Sequence, residues 1–343
     1  MSKPIRVAVI GAGAFGKNHA RVYSELHRET QAGTQPQAVE LVGIVDSDTA
    51  RAAQIAGDCQ TRAYNSISEL AAHGGADAVS IAVPTRFHRN VAREALAAGF
   101  DVLIEKPLAA TLEEADEIID LAAQHGRVAQ VGHLERFNPA VRATIPLITK
   151  PMFFEVHRLS LFGPRALDVD VVLDLMIHDI DIILSFVPGE VSEVRAVGLP
   201  ILSQKVDIAS VRLQFANGCI ANLTASRVST ERVRKLRFFQ PNQYVSIDYA
   251  RQDVLVFTVN KIAGNAAAEG GLPQMPDVMP SKPPVIPEEP LRAEILSFLH
   301  AVSTRETPVV SLEDGRRALA VALEIQKAIE EHAERVHLDA LTK

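Results

Sequence analysis

Tryptophan is absent from the 343 residues, and cysteine occurs only at Cys59 and Cys219. Two thiols so far apart in sequence build neither a disulfide framework nor a zinc site, which points to a reducing compartment. A basic excess is missing as well. The formal net charge is −7, whereas nucleic acid and anionic lipid are bound through surplus Lys and Arg, so neither is expected as a partner. No apolar run approaches membrane-spanning length. Residues 1–6 lead into a strand without the apolar segment of a secretory signal, so the expected location is the cytoplasm. What remains is 47% hydrophobic and 22% charged, the balance of a globular chain whose length calls for two domains.

From Ile5 to about residue 132 short runs rich in Val and Ile alternate with amphipathic stretches, which predicts a doubly wound parallel sheet covered by helices. The strands are expected at 5–10, 40–45, 78–83, 101–104 and 127–131. Crossover helices are expected at 87–98 and 112–125, each followed by a glycine, Gly99 and Gly126. Beyond residue 138 one strongly apolar helix, 171–186, precedes strand-like runs near 191–199, 207–215, 218–226, 234–240, 243–248 and 253–259. That order predicts an α+β domain with a large open, mainly antiparallel sheet. The division expected is residues 1–130 for the α/β Rossmann domain and 131–343 for the second, with substrate binding and oligomerisation in the latter. Seven prolines between Leu272 and Pro290 mark 263–290 as a long surface loop. Helices at 291–302 and 312–333 close the chain, the second capped by Ser311 with Asp314.

Gly11-Ala12-Gly13-Ala14-Phe15-Gly16 follows the first strand and opens a helix. A lone glycine pattern of this kind is weak, but strand and helix supply the context that a dinucleotide site requires. Gly11 permits the tight turn, Gly13 lets backbone approach a pyrophosphate, and Gly16 lets helix pack on strand, with Ala14 and Phe15 at the helix N-terminus. Asp46 ends the second strand, where a carboxylate accepts from ribose hydroxyls and repels a 2′-phosphate; NAD is therefore the expected cofactor. Asp46 lies 30 residues beyond Gly16, further than the usual ~20, and a long helix-to-strand loop over 25–37 is the expected cause. The alternative role for Asp46, capping the next helix, is open to Asp48 as well.

Two later motifs follow successive strands: Val83-Pro84-Thr85-Arg86-Phe87-His88 and Ile104-Glu105-Lys106-Pro107. With these the whole chain resembles the glucose-fructose oxidoreductase, inositol dehydrogenase and MocA family. The resemblance implies cofactor contacts from Pro84, Thr85, His88, Glu105 and Lys106, a Lys106 that reaches nicotinamide and substrate, and a cis bond before Pro107. A lysine at the carboxyl end of a parallel strand points into the ligand crevice, where its ammonium can polarise a hydroxyl or ketone.

On the apolar helix Asp174, His178 and Asp181 recur at i, i+4 and i+7, one narrow face. Burying three ionisable groups is costly unless they are paired or face a polar cleft. A metal site is the competing reading, set aside because Lys106 would oppose a divalent ion. The resemblance assigns His178 as general base with Asp174 as its orienting or substrate-binding partner.

The run Gly132-His133-Leu134-Glu135-Arg136-Phe137-Asn138-Pro139 is similar to the branch of UDP-N-acetylglucosamine 3-dehydrogenases and related nucleotide-sugar oxidoreductases. That similarity places Asn138 near the substrate, and Arg158 and Arg165 are candidates for its diphosphate. The expected function is oxidation of a sugar hydroxyl, at C3 of a nucleotide sugar, by a homodimer or homotetramer. A dehydrogenase of a free sugar, polyol or inositol, and a non-catalytic NAD-binding sensor, are the alternatives.

Overall fold

The computed structural model describes residues 3–35, 37–163, 169–260 and 277–337. Its first sheet contains β1 (Ile5–Ile10), β2 (Val39–Val45), β3 (Ala63–Tyr64), β4 (Ala78–Ile81), β5 (Asp101–Glu105) and β6 (Ala129–Gly132), ordered β3-β2-β1-β4-β5-β6. Every pairing is parallel, and the order is that of a Rossmann fold. Burial on both faces explains why these strands read as continuous apolar runs: β4 and β5 have no residue outside the interior. The helices are α1 (Ala14–Gln31), α2 (Thr49–Asp58), α3 (Ile67–Glu69), α4 (His88–Ala97) and α5 (Leu112–His125). One expectation fails here. The polar stretch after residue 25 is the end of α1, which runs to Gln31, so the extra length before Asp46 is helix rather than loop.

The second sheet is built from β7 (Phe153–Leu161), β8 (Val191–Leu199), β9 (Ile208–Phe215), β10 (Ile220–Ser229), β11 (Val233–Gln240), β12 (Gln243–Asp248), β13 (Asp253–Asn260) and β14 (Asp277–Ser281). Its order is β14-β13-β12-β11-β7-β10-β9-β8. Only β7 and β10 run parallel; the other pairs are antiparallel. Helix α6 (Pro139–Thr144) precedes the sheet, and α7 (Ile177–Phe186) follows a π-helical turn at Val172–Met176. Aromatic side chains sort by strand alternation. Phe154, Phe186 and Phe238 meet in the core, while Phe153, Phe239, Tyr244 and Phe257 form a ladder on the other face.

Three strands were not legible, β3 because it is only two residues long. The central strand β7 contains His157 and Arg158, which break its apolar pattern, and β14 lies inside the stretch expected as loop. Pro280 is tolerated there because β14 is an edge strand. Of that expected loop, 263–276 lies outside the described residues, and 282–289 carries no regular element.

Compactness divides the chain into Met1–Phe137 with Glu289–Ala320, and Asn138–Glu288 with Val321–Lys343. The single cut at 130 thus gives way to a discontinuous first unit. The reason is helix α8 (Pro290–Thr304), whose apolar stripe Leu291, Ile295, Phe298, Leu299 and Val302 joins Ala20, Tyr23 and Leu26 of α1 in one buried cluster. Helix α9 (Leu312–Arg335) begins with the expected reciprocal cap: Asp314 N–H donates to Ser311 Oγ, and Ser311 N–H to Asp314 Oδ2. Because Phe298 is fully buried, Phe298→Ala should cost about 3–5 kcal/mol. Urea unfolding should show a lowered midpoint; an unchanged midpoint would mean that α8 is not part of this core.

Candidate active site

In the first unit the glycine turn is set by steric contact. Gly11 has φ +98°, and a Cβ there would lie 2.6 Å from the Ala82 carbonyl oxygen. A Cβ at Gly16 would meet the Gly11 carbonyl oxygen at 1.7 Å, whereas one at Gly13 would meet nothing within 4 Å. Helix and strand therefore touch at 16, and open space faces 13. The N-terminus of α1 has neither a capping side chain nor an acidic residue in its first turn, so its amides and positive end are free for an anion. Ala14 and Phe15 are exposed on that first turn.

A cavity of about 640 Å³ opens beside this turn, with Gly11, Gly13, Asp46, Arg51, Pro84 and Phe87 in its wall. Asp46 is tied to the turn itself: Oδ2 accepts from Ala12 N–H at 2.6 Å and Oδ1 from Asp48 N–H at 2.8 Å. Arg51 donates to Oδ1 at 3.1 Å. Burial disfavours the Asp46 charge, but the N–H donors of Asp48 and Ala12 and the Arg51 guanidinium outweigh it and hold the carboxyl below its ordinary range. The cap of α2 is Asp48, whose side chain accepts from Arg51 N–H. Asp46 is thus released from capping. A glycine cradle, uncapped amides and an anchored carboxylate together fit a dinucleotide.

Several expected cofactor contacts are placed otherwise. His88 is fully buried, with Nδ1 3.0 Å from the Pro107 carbonyl oxygen and Nε2 2.9 Å from that of Val83. Burial pushes its pKa down, so the neutral ring serves one of these carbonyls at a time. His88 therefore braces two loops instead of touching the cavity. Glu105 also turns inward, its Oε1 2.8 Å from His19 Nε2 and its Oε2 accepting from Lys106 N–H at 3.3 Å. Thr85 starts a 3₁₀ turn and is not in the cavity wall. Lys106 is half-buried and precedes a cis peptide bond to Pro107.

In the second unit the helix expected over 171–186 is not uniform. Asp170 Oδ1 accepts from Val172 and Leu173 N–H, and the chain then makes the π turn before α7 begins. Asp174 lies in the wide turn and His178 in the first turn of α7, both half-buried, while Asp181 is 1% exposed. Asp179, the carboxylate set off the expected face, pairs with a buried cation. Arg158 donates to it from Nε at 2.6 Å and Nη2 at 2.9 Å, and its guanidinium carbon sits 5.2 Å from the centre of the Tyr249 ring.

Arg158 is 2% exposed, so a diphosphate role for it is corrected: its bidentate face is occupied by Asp179. Asn138 is likewise internal, its Oδ1 accepting from Ala140 N–H as the cap of α6 and its Nδ2 donating to the Tyr249 carbonyl. Arg165 lies outside the described residues. His19, Asp170 and Asp179 escaped the sequence reading because their partners are remote in sequence or their side chains looked like ordinary helix punctuation.

Residues 5–133 match the model of an oxidoreductase family with an NAD-binding Rossmann fold, and 155–240 match the GFO/IDH/MocA C-terminal domain. The chain is 35% identical over 332 residues to UDP-N-acetylglucosamine 3-dehydrogenase of Acidithiobacillus ferrooxidans, covering 96% of this chain and 99% of that protein. A solved structure of that enzyme superposes with a TM-score of 0.84 at 34% identity, over 96% and 99% of the two chains. Levoglucosan dehydrogenase, solved with NADH and levoglucosan, shares the fold with a TM-score of 0.81 at 19% identity, over 96% and 98%.

Losing a charge-assisted hydrogen bond removes about 1.5–3 kcal/mol, so Asp46→Ala should weaken NAD binding about ten- to a hundredfold by calorimetric titration. The stability that Asp46 confers is complete above the unfolded carboxyl value of ~3.9 and is lost as pH falls through its lower folded value. Asp46→Asn should lack that acid-side loss; an identical pH–stability curve would discount the hydrogen bonds described.

Proposed function

The chain belongs to the GFO/IDH/MocA family of NAD-binding oxidoreductases, and on that premise we propose that it oxidises the C3 hydroxyl of a UDP-linked N-acetylhexosamine to a ketone. The carrying observation is the 35% identity to UDP-N-acetylglucosamine 3-dehydrogenase along nearly the full length of both chains. NAD, when bound, supplies the acceptor for the hydride that leaves C3. The glycine turn and the α1 N-terminus would hold its pyrophosphate, and Asp46 its adenine ribose. On this reading the His178 imidazole removes the hydroxyl proton, Asp174 orients that ring, and the Lys106 ammonium stabilises the oxygen as negative charge develops.

A second reading, oxidation of a free sugar or inositol, gains from one observation: the engagement of Arg158 with Asp179 withdraws a candidate diphosphate ligand. A panel of UDP-sugars, free sugars and inositols, incubated with NAD and followed by absorbance of reduced cofactor, separates the two. A preference for UDP-N-acetylglucosamine supports the first reading, and turnover of free sugars alone would replace it. Lys106→Ala and His178→Ala should each reduce turnover at least ~10²-fold while NAD still binds. Unchanged turnover in either protein would remove that residue from the mechanism.

The working form on this reading is a homo-oligomer in the cytoplasm, where the free thiols of Cys59 and Cys219 stay reduced. The ladder of Phe153, Phe239, Tyr244 and Phe257, with Phe239 37% exposed, is the surface assigned to pairing with a second copy. Light scattering should give a dimer or tetramer that Phe239→Asp dissociates; a monomeric wild type would end this assignment.

A further inference from the structure

Behind the Glu105–Lys106–Pro107 turn the first unit buries a cluster that takes no part in the proton and hydride movements above. Three elements converge on it: His19 from α1, Glu105 from the end of β5 and Glu294 from α8. His19 and Glu294 are fully buried, and Glu105 is 8% exposed. One ligand-capable atom from each lies within 4.8 Å of the other two. His19 Nε2 pairs with Glu105 Oε1 at 2.8 Å, whereas His19 Nδ1 and both carboxyl oxygens of Glu294 have no hydrogen-bond partner. Gln130 donates only to the backbone carbonyl of Glu294, at 3.4 Å.

An isolated carboxylate in such a place is very costly, and two carboxylates this close cannot both keep their charge. The ionisable groups facing Glu294 are His19 and Tyr23 from α1 and Glu105 from β5. The turn Leu134–Phe137, also packed on α8, adds Glu135 and Arg136, and Arg136 lies 3.9 Å from Asp314. Tyr23 is itself engaged with Ser80. Burial, then the Glu105 charge, push the Glu294 carboxyl well above its ordinary range.

We propose that Glu294 is a neutral carboxylic acid and a positioning residue: its acidic proton faces the Glu105 carboxylate and keeps it against His19, which fixes the backbone of Lys106. Glu105 is the link, since its other oxygen receives the Lys106 N–H. Ionising Glu294 would set two like charges together in the interior and push Glu105, and with it the lysine turn, out of place. The inference rests on the reading of Lys106 as the group that stabilises the substrate oxygen.

Glu294→Gln and Glu294→Leu, compared with wild type, test this. Glu294→Leu removes the proton that faces Glu105 but also the cost of burying the acid, so it should still fold and melt in a single transition at neutral pH. Its kcat should nonetheless fall about tenfold with KM for NAD within about threefold, because Glu105 has lost its brace. Glu294→Gln, which can still donate toward Glu105, should recover kcat to within about threefold and remain active at higher pH than wild type.

The melting temperatures carry an independent sign. A folded pKa raised above the unfolded value of ~4.3 means that wild-type stability is complete below that value and is lost as pH rises toward the folded one. The advantage of Glu294→Gln should therefore be nil near pH 4 and grow toward neutrality. Full kcat in Glu294→Leu would overturn the positioning role. A pH-independent melting difference for Glu294→Gln, or a stoichiometric metal ion in wild type that this variant loses, would overturn the neutral acid. If Lys106→Ala kept full turnover, the reading of Lys106 would fall, and the melting contrast would still decide the protonation of Glu294.

Discussion

Helix α1 crosses the end of β1 so closely that the backbone itself forms the contact, with room for a hydrogen but no carbon at residue 16. That proximity fixes where the helix begins and hence where its unpaired amides point. It also sets the rest of the first unit in register. Ala12 comes within reach of Asp46, which anchors the second strand to the turn. One and a half turns along α1, His19 is delivered to Glu105 at the end of β5. The nucleotide turn and the lysine turn are separated by ninety residues of sequence, yet they are connected by two side chains of one helix and one strand.

Such connections explain what could be read in the sequence. The Rossmann strands other than the two-residue β3 were legible because burial on both faces leaves an unmixed apolar signature, and Asp46 was legible because its position at a strand end is tied to a known geometry. Strand β7 was not, because its centre holds Arg158, an interior cation paid for by a carboxylate 21 residues away. His19 reads as an ordinary residue of a polar helix until Glu105 is placed beside it. Glu294 did carry a signal: it interrupts the apolar stripe of α8 between Leu291 and Phe298, where a charge has no business without a partner. The notional partner, however, lies 189 positions upstream, and local pattern cannot supply it.

The second unit distributes its ionisable groups by environment. Asp179 and Arg158 neutralise one another deep in the packing, which rigidifies the junction of α7 with β7. Asp174 and His178 stay half-buried, where a proton can still be exchanged. Spacing alone had grouped Asp174, His178 and Asp181 and had left Asp179 aside. Periodicity identifies which side chains share a direction; what each finds there depends on the neighbouring strand.

The π turn ahead of α7 adds a dimension that side-chain chemistry does not capture. A wide turn accommodates one residue more than an α-helical path between the same ends requires. Removing one residue from Val172–Met176 would let the ladder of hydrogen bonds close into ordinary helix, with no loss of apolar packing needed. The chain on either side would keep its place, while the residues inside the turn would shift to neighbouring positions on the helix face relative to His178. Asp174 would keep its identity, and its neighbours in sequence, yet face another way. In this helix chain length acts as a determinant of chemistry in its own right, and a gap of a single position is a change of site.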